Sequence, residues 1–279
     1  MIYVRDKGRM CNNILQYGHL YAWGREPGRE TMSMRFAYKY QYFHICDTPH
    51  HNFLTYFLAK YAAKLRLIPV VQFNDIHQDT TPQEQLMLSR RHVVAEGWFV
   101  HWFDLFLKYK QDIIQLFEFN NEVKQAVDAQ LAPLPKSDIR LGVHIRRGDY
   151  RRWHGGRYFY TDEQYISYIR QFLALHPDKR ISIFVCGNDP ELDTEKFSTS
   201  LCAQNDSEPK PVTVIFPNGN PGEDLCLLSR CDYLMGAPST FTLVASMYHD
   251  TPLCWMMDAT QPLTPSSFGR FDYLFRHII

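Results

Sequence analysis

The 279-residue chain carries 30 Lys+Arg against 30 Asp+Glu, with 45% apolar and 22% charged residues. That composition excludes a disordered chain, and zero net charge excludes the long-range positive field that wholesale nucleic-acid or anionic-membrane binding depends on, although a local basic cluster is compatible with it. No run approaches the ~18–20 apolar residues of a membrane span, and the first seven residues hold no signal-peptide-like core. The seven cysteines are odd in number, form no CxxC pair and include several in apolar runs, which is reduced, intracellular usage. The expectation is a cytoplasmic protein with no transmembrane segment and no nucleic-acid partner, peripheral membrane association staying open.

In chain order, a glycine-started loop (Gly8–Tyr17) runs into a short helix expected over Asn12–Trp23, while Val4 is too isolated to assign. His44, Cys46, Asp47, His50 and His51 crowd together, but their spacing matches no zinc pattern, and they read as a polar surface turn. Asn52 is a good N-cap for a helix on which Phe53, Leu54, Phe57, Leu58, Tyr61 and Leu65 recur at helical spacing. Pro69 stops it, Val70–Phe73 reads as a strand, and Phe103 to Phe117 as another amphipathic helix. Two prolines in Leu131–Ser137 mark a domain seam, giving residues 1–135 as a mostly helical domain and 136–279 as an alternating one.

In that second part, strands are expected at Ile139–Ile145, Ile181–Cys186, Val212–Phe216, Tyr233–Gly236 and Leu253–Met257. Between them lie helices, one opened by the capping box Thr161-x-x-Gln164, others over Glu223–Cys231 and Thr240–His249. Short apolar strands alternating with helices mean βαβ units and a parallel sheet, whose ligands sit at the carboxyl ends of the strands.

Two segments at such ends carry chemistry. The first strand leads directly into His144-Ile145-Arg146-Arg147-Gly148-Asp149-Tyr150, and five arginines face one aspartate between Arg146 and Arg157. A guanidinium fork there can clamp phosphate through two oxygens at once; a solvated basic loop is the plainer reading of the same run. Further on, Asp224 starts a helix and Ser239-Thr240-Phe241 opens the next. Hydroxyls and free N–H groups at a helix start bind anions, and a carboxylate can accept two N–H bonds from a guanine edge. Equally, Ser239 can simply cap its helix and Asp224 answer a helix dipole.

Together these segments resemble the fucosyltransferase superfamily with the H-x-R-R-x-D signature, and most closely glycosyltransferase family 11, its α-1,2 branch. The signature is carried by His144 to Asp149, a later E-D-L…S-x-C plus S-T-F pattern by Glu223–Cys231 and Ser239–Phe241, an N-terminal loop by Gly8–Tyr17, and an acidic turn by Gly187–Glu191. The resemblance implies an α/β, GT-B-like fold of two Rossmann-type domains with parallel sheets, the first facing the acceptor and the second binding the nucleotide sugar. It implies inverting transfer of fucose from GDP-fucose to a glycan hydroxyl, in α-1,2 linkage, with no metal and no cofactor beyond the donor. Arg146 would hold the β-phosphate and His144 would sit beside the nucleotide, with Arg147 among the donor-binding residues; Asp224 would read guanine; Ser239, Thr240 and Phe241 would line the phosphate pocket; Asn12 would approach the sugar. Simple counting past the signature places His154, or else Asp149, as the base for the acceptor hydroxyl. Cys11, Asn13 and the Leu243-Val244 pair depart from the family pattern. They keep two alternatives in play, a transferase using another nucleotide sugar and a non-catalytic sugar- or nucleotide-binding protein on the same scaffold.

Overall fold

The computed structural model describes residues 1–5, 7–36, 40–187, 189–202 and 212–277. Packing divides the chain into two compact units, Met1–Asn120 and Asn121–Ile279.

The first unit is built on a parallel four-stranded sheet of β1 (Ile2–Val4), β2 (Thr31–Ser33), β3 (Val70–Phe73) and β4 (Val93–Gly97) in the order β2-β1-β4-β3. Of this sheet, sequence patterning located only Val70–Phe73; a parallel sheet in each domain is what the family resemblance implied, and helices still hold most of the unit's regular structure. Three-residue strands such as β1 and β2 are too short to display a period of two, and all five residues of β4 are buried, so no alternation is left to read. Helix α1 (Met10–Arg25) is buried nearly all round, with even Asn13, Gln16 and His19 under 5% exposed. Helix α2 (Phe53–Lys64) starts as expected, the Asn52 side chain accepting from Thr55 N at 2.9 Å. It buries Tyr56, Ala59 and Ala63 and turns its large apolar stripe outward. After α3 (Thr81–Ser89) the helix expected over Phe103–Phe117 breaks at Tyr109 into α4 (Phe103–Lys108) and α5 (Lys110–Leu116), with Phe106, Ile113 and Phe117 in the core.

The second unit begins with α6 (Asn121–Leu131), ahead of the proline-marked seam. The helix belongs there because Asp128 pairs with Arg230 at 2.5 Å and Gln130 reaches Glu223 at 3.5 Å. Its sheet is parallel throughout: β5 (Ile139–Ile145), β6 (Ile181–Gly187), β7 (Val212–Ile215), β8 (Tyr233–Gly236) and β9 (Leu253–Trp255), in the order β7-β6-β5-β8-β9. All five expected strands form, with ends shifted by at most two residues. Leu141, Val143 and Ile145 of β5 and Ile183 and Val185 of β6 form its core with Tyr165, Ile169 and Phe172 of α7 (Asp162–Leu175). The Thr161/Gln164 capping box that starts α7 is present. Helices α8 (Thr194–Cys202), α9 (Pro221–Ser229), α10 (Thr240–His249) and α11 (Phe271–Arg276) complete the unit. In this order the chain reverses direction across the sheet between β5 and β8, and the carboxyl ends of those two strands form the crevice where such sheets bind ligands.

Candidate active site at the carboxyl ends of the central strands

His144 sits one residue before the end of β5, paired in register with Cys186 of β6 and Gly236 of β8. Gly236 is required there: a Cβ would lie 2.5 Å from the His144 carbonyl oxygen. The imidazole is 8% exposed and stacks on Phe241 of α10, ring centroids 4.8 Å apart and planes at 22°. Two motifs separated by nearly a hundred residues thus meet face to face.

The next arginines diverge. Arg146 stays partly exposed, its Nε and Nη2 donating to the two Asp149 oxygens at 3.1 and 2.8 Å, and lies 5.0 Å over the Tyr150 ring. Its Nη1 has no protein partner among the described residues. Arg147 turns inward at 7% exposure; Nε donates to Tyr160 O at 3.0 Å, Nη1 to Asp189 at 3.0 Å and Nη2 to Asp162. All three nitrogens of that guanidinium are engaged within the protein, the geometry of an anchor under the loop, at a position where the sequence reading expected a contact to the donor. Asp189 of the acidic turn thereby has a structural task, and Glu191 pairs with Arg151; Asn188 lies outside the described residues. Gly148 turns the loop at φ +32°, in the left-handed region that favours glycine.

The Tyr150 hydroxyl donates to Pro238 O, tying the loop after β5 to the turn after β8. Sequence reasoning gave Tyr150 no role, although an aromatic closing a charged run was the available signal. Ser239 does cap α10, its Oγ accepting from Phe241 N at 3.1 Å, and Thr240 is the first residue of that helix. Ser239, Thr240 and Phe241 therefore sit at a positive helix end beside His144, an arrangement suited to an anion. Leu243 and Val244 are fully buried core residues of α10.

Among the described acids of this unit, Asp224 stands apart. Asn220 caps α9 by accepting from Gly222 N and Glu223 N, and Glu223 is engaged by Asn220 and Gln130. Asp224 Oδ1 is buried with no hydrogen-bond partner. Burial, with Glu223 next to it, pushes its carboxyl up to about 7. Burial, and then the charge of Asp224, raises the Cys186 thiol well above its ordinary value, so the carboxyl lies within electrostatic reach of the strand position paired with His144.

His154 lies in the turn that follows the signature, and Asn12 belongs to the first unit. His154 is exposed in the turn Trp153–Gly156 at φ +47°, its ring edge-on to Trp153. Asn12 lies half-buried at the start of α1 in the first unit; Gly8, at φ +96°, makes room for it, and Gln16 holds the loop by accepting from Lys7 N and donating to Lys7 O. In the crowded segment, His44 pairs with Asp47, His50 with Glu30, and His51 with Thr48 and Ser33. Among the described residues no His, Cys, Asp and Glu set is grouped to hold a metal.

No family model matches the sequence. The mouse galactoside 2-alpha-L-fucosyltransferase Sec1 is 23% identical over 95% of this chain and 69% of its own length. A pig galactoside alpha-(1,2)-fucosyltransferase 2 is also 23% identical, over 92% and 72%. Among solved structures, an Arabidopsis thaliana FUT1 mutant in complex with GDP superposes at TM-score 0.65 (13% identity, 96% of this chain, 73% of that one). The NodZ alpha-1,6-fucosyltransferase soaked with GDP-fucose superposes at 0.54 (13% identity, 96% of each chain). The chain resembles the fucosyltransferases in sequence and shares their fold. The fucosyltransferase likeness spans both units, in agreement with the ordered motifs that run from Gly8 to Phe241.

Proposed function

We propose that this chain is an inverting fucosyltransferase moving fucose from GDP-fucose to a galactoside hydroxyl in α-1,2 linkage. The observation that carries the reading is Asp224 Oδ1, buried and without a hydrogen-bond donor. Guanine N1–H and N2–H₂ are two donors on one edge and match a carboxylate; adenine and uracil present no such pair. The names of the two curated relatives support the galactoside acceptor and the linkage.

In the proposed reaction the acceptor hydroxyl oxygen attacks the anomeric carbon of fucose from the face opposite GDP. The bond from that carbon to the β-phosphate oxygen breaks, its electron pair leaving with GDP. Arg146, pre-aligned by Asp149, and the start of α10 stabilise the negative charge that develops on the leaving diphosphate. His144, held by Phe241, stands beside the nucleotide. The acceptor proton goes to His154, since Asp149 is committed to Arg146 as its positioning partner. Arg146 supplies the positive charge that a divalent ion supplies in other transferases, so the turnover proposed here survives EDTA. The cysteine pattern supports a cytoplasmic setting.

Melting the protein with GDP, UDP and ADP at matched concentrations tests the donor class, because only a ligand of the native state raises the melting point. A shift with GDP alone supports the reading; equal shifts with all three favour another nucleotide sugar. Release of GDP from GDP-fucose dependent on a β-galactoside acceptor separates an enzyme from a binding protein.

A further inference from the structure

Helix α2 is inside out for a core helix. Tyr56, Ala59 and Ala63 face inward, and the opposite face exposes Phe53 (60%), Leu54 (71%), Phe57 (45%), Leu58 (63%), Tyr61 (52%) and Leu65 (66%). Phe53, Phe57 and Tyr61 stack in a surface ladder with centroids 6.3 and 6.4 Å apart, and Leu67, 73% exposed, continues the patch past the left-handed Arg66 at φ +58°. Soluble monomers rarely expose apolar side chains in so continuous a row. The charges that this stretch of chain itself carries are of one sign: Lys60, Lys64 and Arg66 are exposed, and no Asp or Glu occurs between Asp47 and Asp75.

We propose that this face of α2 is a membrane-docking surface that lies in the plane of an anionic bilayer. An amphipathic helix of this kind buries its apolar side chains at the boundary between headgroups and acyl chains. Lys60, Lys64 and Arg66 stay level with the headgroups, where each basic residue adds attraction to a negatively charged leaflet. Long Lys and Arg stems suit that position because they run along apolar surface while the charge reaches the polar layer. The sign of the charges selects this occupant: an uncharged apolar partner would need none, and a second copy of the same face would set three cations against three. Zero net charge of the whole chain is no obstacle, since the attraction is local and acts within a Debye length.

Co-sedimentation of the full chain with phosphatidylglycerol/phosphatidylcholine vesicles, against pure phosphatidylcholine vesicles, tests the proposal. Binding is expected to the anionic vesicles, weakening as salt is added. Lys60→Gln with Lys64→Gln should weaken it at least about tenfold, following the usual contribution of each basic residue near an anionic surface. Leu58→Glu should abolish it while leaving the melting temperature and GDP binding unchanged, because the side chain it replaces is already in water. No binding to anionic vesicles, or binding that Leu58→Glu leaves intact, overturns the proposal. So does sedimentation equilibrium showing a dimer that Leu58→Glu splits, which would assign the face to a second copy.

Discussion

Arg147 and Asp224 are two charged groups taken out of water in the same unit, and they differ in how their charge is answered. Arg147 lies beneath the loop after β5 with Asp162, Asp189 and the Tyr160 carbonyl around its guanidinium. Asp224 lies at the start of α9 with its Oδ1 facing no donor, and its proton affinity rises accordingly. A buried charge that the protein itself satisfies is part of the architecture. One that the protein leaves unsatisfied costs stability in the free state and points to a ligand that completes it.

The largest effect should come from breaking the satisfied region. Arg147→Met leaves Asp162 and Asp189 buried without a counter-charge, and loss of one partner of such a network typically costs roughly 3–5 kcal/mol. Chemical denaturation should show that loss; an Arg147→Met variant of wild-type stability that fails only in GDP binding would return Arg147 to the phosphate site. Arg146→Lys is the counterpart on the open side of the loop. It keeps the charge but removes the fork that Asp149 aligns, and should lower turnover on the order of 10²–10³-fold with little change in melting temperature. Wild-type turnover would take the leaving-group role from Arg146.

The smaller effects come from titrating the unsatisfied region. With the Asp224 carboxyl at about 7 in the free protein and held ionised when guanine is bound, GDP binding releases a proton at and below neutrality. Affinity should then be nearly flat above pH 8 and fall to about one tenth by pH 6, since each unit below the pKa costs about 1.4 kcal/mol. An affinity that is unchanged over that range would show that Asp224 stays outside the site. The same group acts on stability with the opposite consequence. Its folded pKa is raised above the ordinary 3.8, so the folded protein holds the proton more tightly than the unfolded chain, and stability falls as pH rises through that window. Asp224→Asn should therefore melt higher than wild type at pH 8, by roughly 2–4 °C for each kcal/mol of buried charge relieved. A carboxylate that merely answers the helix dipole predicts a lower melting point instead.

How much of this was legible in the sequence follows from strand length and from where each charge ends up. The second unit's sheet could be read almost to the residue because strands such as Ile139–Ile145 are apolar runs bounded by turns and caps. The first unit's β1 and β2 could not, since three residues display no period. The site motifs were found because they follow strand ends, and the structure joins two of them through His144 and Phe241. The inward turn of Arg147 was not legible: which of two adjacent arginines turns inward is decided by Asp162 and Asp189, acids 15 and 42 residues further on. The outward stripe of α2 escaped for a similar reason. Helical spacing shows that a stripe exists, but the small residues Ala59 and Ala63 decide which side packs.

Calorimetric titration of GDP into wild type and Asp224→Asn at pH 8 tests the central claim most directly. The account predicts binding to wild type and a loss of several kcal/mol in the variant, because the amide sets a donor against a guanine donor where the carboxylate accepted. Equal dissociation constants for the two proteins would contradict it.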